Sequence, residues 1–523
     1  MMFCDRCLAN NYMNPNQQCV ECMTGAVCDE QGVTLANMAT KFGYYRFEAS
    51  AVEVYGCPTP LNCIGGSLLN TSRGGCGVGA DGPLCSQCME GYYMDSLEMK
   101  CMACELEASE ASEADVEDEE GGVSNIVALL IVLGVVAAIV VCGVVAVKRS
   151  EKVNELMQRF GTWKARNRQK LNLFYAQVTV VVVTIQTVML MASNHEAAGG
   201  EGFPPIYAGF LRCLAFLQLD FVGFLPGLPC VSVFRGYYNN VLFQTIAMTL
   251  FGLGCVVGWL KRRREDHPVA HASLTLFVVG ARFALAAVSR TICSGFRCGY
   301  FDAGKRGVET FLLADLAVSC ESTQYKAMLV YLLAMMLIFP IGLPLGALIK
   351  LWQLKPHLNL LGEVEKTRGI VKKKSLRERH EDRQSRKKAK FKDHDVDEDF
   401  RRAKEELKAL NHTESLVLID TSPLQPLFRH YRKGFSWWYD VADVTRRLGL
   451  TCATLLFTHV NHFLLFSIAV ACFSLAAHTE MEPYKHRELN SLASIMHWQN
   501  LMCLVTLLMR DANMYEGDSY QMI

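Results

Sequence analysis

The sequence predicts a mainly α fold: a polytopic helical membrane bundle of about eight spans, with a small disulfide-rich domain of loops and β-hairpins at its N-terminus, outside the cell. Three observations predict it. Apolar residues make up 51% of the chain, and the 20% that are charged sit in a few blocks between long uncharged runs. Twelve of the 22 cysteines precede residue 105. The Lys/Arg-rich blocks at 148–170, 261–264 and 355–408 all fall on one side when eight spans are threaded. The formal net charge of zero hides this asymmetry, because 105–120 is acidic. Basic blocks that abut spans indicate orientation in a lipid bilayer, and no nucleic-acid partner follows from them.

The cysteine-rich region, 1–104, contains a repeat. Cys4-x2-Cys7 and Cys19-x2-Cys22 enclose Tyr12-Met13-Asn14, while Cys85-x2-Cys88 and Cys101-x2-Cys104 enclose Tyr93-Met94-Asp95. Paired C-x2-C motifs would suit tetrahedral zinc in a cytosolic protein. Here the region precedes a membrane span and carries the sequon Asn70-Thr71-Ser72, a candidate glycosylation site. A short loop-rich chain cannot bury a sizeable core, so cross-links are expected in its place. Disulfides are therefore the expected state of Cys4, Cys7, Cys19, Cys22, Cys28, Cys57, Cys63, Cys76, Cys85, Cys88, Cys101 and Cys104, with no metal and no cofactor. The chain opens on Met1-Met2-Phe3-Cys4 without a basic-then-apolar leader, so either the N-terminus is incomplete or the first span is an uncleaved signal anchor.

Residues 105–122 hold nine carboxylates and read as a solvated stalk. Spans are expected at Ile126–Val147, Leu171–Ser193, Val241–Leu260, 270–292, Tyr325–Leu351, 441–459, 463–478 and 492–509. The segment 206–233 is apolar but broken by Pro226 and Pro229 and charged at Arg212 and Asp220, so a re-entrant or interfacial element is expected. Eight spans put both ends outside, and Cys230, Cys293, Cys298 and Cys320 are then extracellular candidates for further disulfides. Cys142, Cys255, Cys452, Cys472 and Cys503 fall within spans and are expected to be buried thiols. The organisation is thus an ectodomain over 1–104, a stalk over 105–122, spans 1–5 over 123–352, a charged cytoplasmic loop over 353–436, spans 6–8 over 437–510 and a tail over 511–523.

A few residues stand out. Arg282 lies near the middle of the fourth span, where a cation is costly unless paired or wetted. It reads as a voltage-, ligand- or pore-coupled charge, or as a structural partner of Asp220 or Asp315, or as a sign that the span boundary lies elsewhere. Pro340 and Pro344 each remove a helix hydrogen bond and are expected to kink or break the fifth span, as a gating hinge or as a static bend. Trp437, Trp438 and Tyr439 read as an interfacial aromatic belt, and Asp440 and Asp443 as local ion-pair partners of Arg446 and Arg447. The basic clusters within 372–390 are expected either to meet anionic lipid or to be a solvated face. Asp393, Asp395 and Asp397 alternate as in a calcium loop, but Glu398 stands where the turn glycine is required, so an EF-hand is rejected. Asn411-His-Thr413 is a second sequon, on the cytoplasmic side. The sequence holds no phosphate-binding glycine loop, kinase signature, G-x-S-x-G elbow or H-E-x-x-H helix, so an enzyme is not expected.

Two resemblances follow from particular runs. Cys22-Met-Thr-Gly-Ala-Val-Cys28, Phe42-Gly43-Tyr44-Tyr45-Arg46, and Gly82-Pro83-Leu84-Cys85-Ser-Gln-Cys88-x2-Gly91-Tyr92-Tyr93 resemble ephrin-receptor-type, EGF-like cysteine-rich repeats. Such repeats often head multi-span membrane proteins of protists and algae. Leu312-Leu313-Ala-Asp315, Phe339-Pro340-Ile-Gly342-Leu-Pro344, Trp437-Trp438-Tyr-Asp440 and Glu482-Pro483-Tyr484 resemble the membrane halves of those proteins. That group is distantly similar to transient-receptor-potential-like and polycystin-like proteins. The resemblance implies a channel-like or transport protein with an extracellular domain for sensing or assembly. A place in the plasma membrane with the N-terminus outside is expected, and a homo-oligomer is compatible with this reading. The alternative is a receptor or adhesion protein without conductance, its head meeting an extracellular ligand or matrix.

Overall fold

The structure is a computed structural model and describes residues 6–67, 75–95, 100–104, 167–197, 203–214, 217, 236–264, 272–358, 422–455, 457 and 459–512. Cys4, Asn70, the stalk, the expected first span with Cys142, Asp220, Cys230, the 372–390 clusters and Asn411 lie outside the described residues.

The N-terminal head is built from short antiparallel hairpins. They are β1 (Asn11–Met13) with β2 (Cys19–Glu21), β3 (Ala26–Val27) with β4 (Ala39–Thr40), β5 (Tyr44–Tyr45) with β6 (Tyr55–Gly56), β7 (Ala80–Asp81) with β8 (Gln87–Cys88), and β9 (Tyr92–Asp95) with β10 (Lys100–Ala103). Strands this short cannot carry a core, and cystines take that role. Disulfides join Cys7–Cys19, Cys22–Cys28, Cys57–Cys63, Cys76–Cys85 and Cys88–Cys101, and Cys104 is disulfide-bonded as well. Cys63 and Cys85 are fully buried. The two repeat copies adopt one arrangement, Cys7–Cys19 flanking the β1–β2 hairpin as Cys88–Cys101 flanks β9–β10. Oxidised pairs leave these thiolates no part in a zinc site.

Among the described residues six helices are long and apolar enough to cross a membrane: Lys170–His195, Gly236–Lys261, Ser273–Ser294, Thr323–Leu358, Val460–Met481 and Arg487–Asp511. They lie in α1 (Arg168–Ala197), α3 (Gly236–Arg264), α4 (Ala272–Ser294), α5 (Thr323–Leu358), α7 (Val460–Met481) and α8 (Arg487–Asp511); α2 is the short helix Pro205–Cys213 and α6 is Tyr439–Cys452. These helices together with the disulfide-rich head are compatible with a multi-pass membrane protein that carries a cysteine-rich domain. Between α4 and α5 stands an antiparallel sheet, β11 (Cys298–Asp302), β12 (Val308–Leu312) and β13 (Asp315–Ser319), closed by Cys298–Cys320. The bundle end that bears this sheet is called the head end below.

The expected sixth span is corrected. The helix at that place, α6, has 14 residues and passes into the turn Ala453–Leu455. At that length it is not among the membrane-length helices, and Asp440, Asp443, Arg446 and Arg447 give its first half a charged character. It is instead a wedge. Leu450 joins a cluster with Val188 and Met191 of α1, Leu464 of α7 and Leu504 of α8, while Leu448 joins Val241 of α3, Leu285 and Ile292 of α4 and Leu332 of α5. Asn461 and His462 lie in the first turn of α7, not in a loop between two spans.

Cys452 is not a thiol, contrary to its expectation: it is disulfide-bonded to Cys293, tying the head end of α4 to α6. Cys472 is exposed rather than buried, facing away from the bundle. Pro340 and Pro344 do not break α5, which accommodates them through a π-helical stretch, Leu337–Gly342, where Leu343 N–H reaches back to Ile338 O. Gly342 permits the wide turn, since a Cβ there would lie 2.7 Å from the Leu337 carbonyl oxygen. Buried threonines 179, 184, 187, 245 and 451 each return their hydroxyl to the carbonyl four residues earlier, so they add no orphaned polar atom.

Candidate functional site

Two places concentrate chemistry, one at each end of the bundle. At the head end the cysteine-rich head is seated on the three-stranded sheet. Asp302 is the hub: its Oδ2 accepts Val52 N–H at 2.7 Å and Glu53 N–H at 3.3 Å, and its own N–H donates to the Tyr55 hydroxyl at 2.7 Å. Lys305 N–H donates to Glu48 and Ser50. Tyr55 also bonds Glu53. Around this hub, Phe47 stacks on Phe311 and tilts against Phe301, and Leu84, Phe301 and Leu316 fill the seam. Gly304, at φ +65°, lets the sheet's first turn come close, for a Cβ would lie 2.7 Å from Ala51 N. Burial alone would raise the Asp302 carboxyl, but the N–H bonds from Gly304, Val52 and Glu53 outweigh it and hold the group below its ordinary value.

Beside this seam lies a cleft of about 700 Å³. One wall is head, with Thr59, Gln87 and Tyr93; the other is the first turn of α3 and the sheet, with Tyr237, Asn240 and Asp315. A volume of this size suits a small organic ligand. Asp315 fixes the second wall, accepting Tyr237 N–H at 2.9 Å and Ala317 N–H at 3.0 Å.

The other place lies toward the far end, where α4 passes the start of α6. Arg282 does not pair with Asp315, which is engaged at the head end, nor is the span boundary displaced: α4 runs through Arg282 without interruption. Its partner is Asp440, with Nη2 to Oδ1 at 2.7 Å and side chains 9% and 2% exposed. Tyr431 donates its hydroxyl to the same Oδ1 at 2.9 Å. Asp443 pairs with Arg446 at 2.8 Å and Arg447 at 3.3 Å, as their helical spacing leads one to expect.

This cluster is positioned by a short crossing of two chain segments. Residues 430–432 run beside 483–485, with Arg432 N–H donating to Pro483 O and Lys485 N–H to His430 O. Tyr431 thereby stacks on Tyr484 at 5.0 Å. Asn490 holds that loop, accepting Tyr484 N–H and donating to Tyr484 O. Tyr439 turns inward, its hydroxyl meeting His478 Nδ1 at 3.0 Å, so it belongs to this cluster and not to an aromatic belt. Trp437 takes the Lys355 ammonium over its ring at 4.5 Å. Burial, then the Asp440 charge, push the Tyr431 phenol well above its ordinary value, so it remains a donor. Burial and the Arg282 charge lower His430 to about 4, so it is neutral at pH 7.

Sequence reasoning named Arg282 but missed its partner and missed Asp302, Tyr55 and Phe47. Only Arg282, a cation near the middle of an apolar run, carried a signal. Pro340 and Pro344 lie in neither place. Compared with known proteins, the chain matches no family, no curated protein and no solved structure.

Proposed function

We propose that this protein is a membrane sensor of the channel-like or transport kind, whose extracellular head and outer sheet receive a ligand and whose bundle carries the response. The observation that carries this reading is the cleft between head and bundle. Its walls belong to two separate parts of the chain, so a ligand filling it favours one placement of the head relative to α3. In this reading the head end faces outward in the plasma membrane, Asn70 carries glycan, and the 372–390 clusters meet anionic lipid on the inner side. The cysteine repeats and the membrane runs also support kinship with the protist and algal proteins they resemble.

The test is ion flux from the full chain reconstituted in liposomes, with and without substitutions in the cleft. Asp315→Ala is expected to change the stimulus needed for flux while leaving the head folded. Absence of flux under voltage, stretch and calcium, with a ligand still bound at the cleft, would favour a second reading: a receptor or adhesion protein without conductance. One observation favours that reading, namely that Arg282–Asp440 and Cys293–Cys452 tie both ends of α6 to α4.

A further inference from the structure

The cleft beside the head seam is lined unevenly in charge. Among its described lining residues Asp315 is the one carboxylate, and none is a lysine, arginine or histidine. Asp315 is half-buried, and no salt bridge engages it among the described residues. Its hydrogen bonds come from uncharged backbone N–H groups, Tyr237 on Oδ2 and Ala317 on Oδ1. One donor on each oxygen leaves each with further capacity to accept.

A neutral ligand filling the cleft would strip water from this carboxylate and return no counter-charge, which is costly. An anionic ligand would add repulsion to that cost. A cation offsets it. A bare metal ion does not fit the donor set: calcium takes roughly six to eight oxygen ligands. The described residues hold no group of three or more His, Cys, Asp or Glu side chains that could supply them. A space of about 700 Å³ is instead of the size that holds an organic molecule of many atoms. The head wall supplies what the rest of such a molecule needs. Tyr92 and Tyr93 bring aromatic rings, whose faces attract cations, and Thr59 and Gln87 bring a hydroxyl and an amide.

We propose that the cleft binds an organic ammonium compound, its charged nitrogen against Asp315 and its remainder on the head wall at Tyr93, Thr59 and Gln87. The inference rests on the reading of this cleft as a ligand site between head and bundle, and gives the ligand a chemical class. The carboxylate belongs to the sheet and the rings to the head, so one molecule touches both parts of the chain.

The experiment is calorimetric titration of the full chain, purified in a neutral detergent, with choline and with tyramine. Each is paired with an uncharged analogue. For choline it is the alcohol in which a tert-butyl group replaces trimethylammonium, and for tyramine the compound in which a hydroxyl replaces the amine. The ammonium member of each pair is expected to bind about tenfold tighter, as one interaction with an ionised group supplies. Asp315→Asn is expected to remove that preference while the uncharged analogues keep their affinity. Gln87→Glu stands on the other wall, away from the Tyr237 and Ala317 hydrogen bonds. By adding a second carboxylate it is expected to tighten ammonium binding about fivefold. Equal affinity within both pairs, or no binding of either ammonium compound, would overturn the proposal. So would an ammonium preference that survives Asp315→Asn and ignores Gln87→Glu. Flux in liposomes is measured separately. Ammonium-selective binding without flux supports this inference and removes the channel-like reading. Flux that answers only to uncharged ligands, with the ammonium compounds unbound, keeps that reading and overturns this inference.

Discussion

The two ends of this molecule are held by different physics. At the head end, order comes from covalent links and from backbone amides converging on one carboxylate, Asp302, inside a shell of aromatic rings. Toward the far end there is no such cross-link among the described residues, and the helices are registered by a buried set of arginines, aspartates and tyrosines. The difference follows from surroundings. A small domain in water gains too little from burial to order short hairpins, and disulfides restrict its unfolded chain instead. Between apolar helices no hydrophobic force distinguishes one neighbour from another, and polar pairs supply the choice.

The sharpest way to break this comparison is to remove one half of the buried pair. Asp440→Ala leaves Arg282 and the Tyr431 hydroxyl without their acceptor and is expected to cost about 3–5 kcal/mol, read as a fall in Tm in detergent. Replacing both, Arg282→Met with Asp440→Leu, is expected to recover most of that loss. If it does not, the cluster stabilises the bundle by more than pairwise compensation. Next in size is the head. Cys88→Ser opens a hairpin link in a domain of this kind and is expected to cost about 2–5 kcal/mol, seen as proteolysis of the head with the bundle's Tm unchanged.

A milder change probes the seam between the regions. Phe47→Ala removes a half-buried ring from the cluster with Phe301 and Phe311, and about 2–3 kcal/mol of head docking is expected to go with it. Faster amide exchange at Val52 and Glu53 would report it. The smallest effect is that of acid. Asp302 is held below its unfolded value of about 3.9, so its contribution is complete above that pH and is lost as pH falls through its folded value. The same two amides should therefore stay protected at pH 5 and become labile below about pH 4. Loss of protection at pH 6 would point to a different group.

What was legible in the sequence was local. Hydropathy runs locate α1, α3, α4, α5, α7 and α8, because a lipid-facing helix writes its character into consecutive residues. The tyrosine-bearing C-x2-C repeats mark two hairpins whose cystines close over 12 and 13 residues. What was hidden was distant. Arg282 and Asp440 are 158 positions apart, and Val52 and Asp302 are 250, so no window contains either pair. Cys452 sits in an apolar stretch that reads as a span, and its charged first turns mattered more than its apolar end. The prolines of α5 signalled a broken helix, but the chain kept the helix by widening one turn.

The Cys293–Cys452 link has a further consequence, one of connectivity rather than energy. It closes a ring that contains the three-stranded sheet, the whole of α5 and the charged segment beyond it, between cysteines separated by 159 positions. A single cut of the backbone anywhere inside that ring does not release a fragment. The cleaved protein migrates as one species until it is reduced and then as two, so the region between α5 and α6 can be severed while its flanking helices stay on the same molecule.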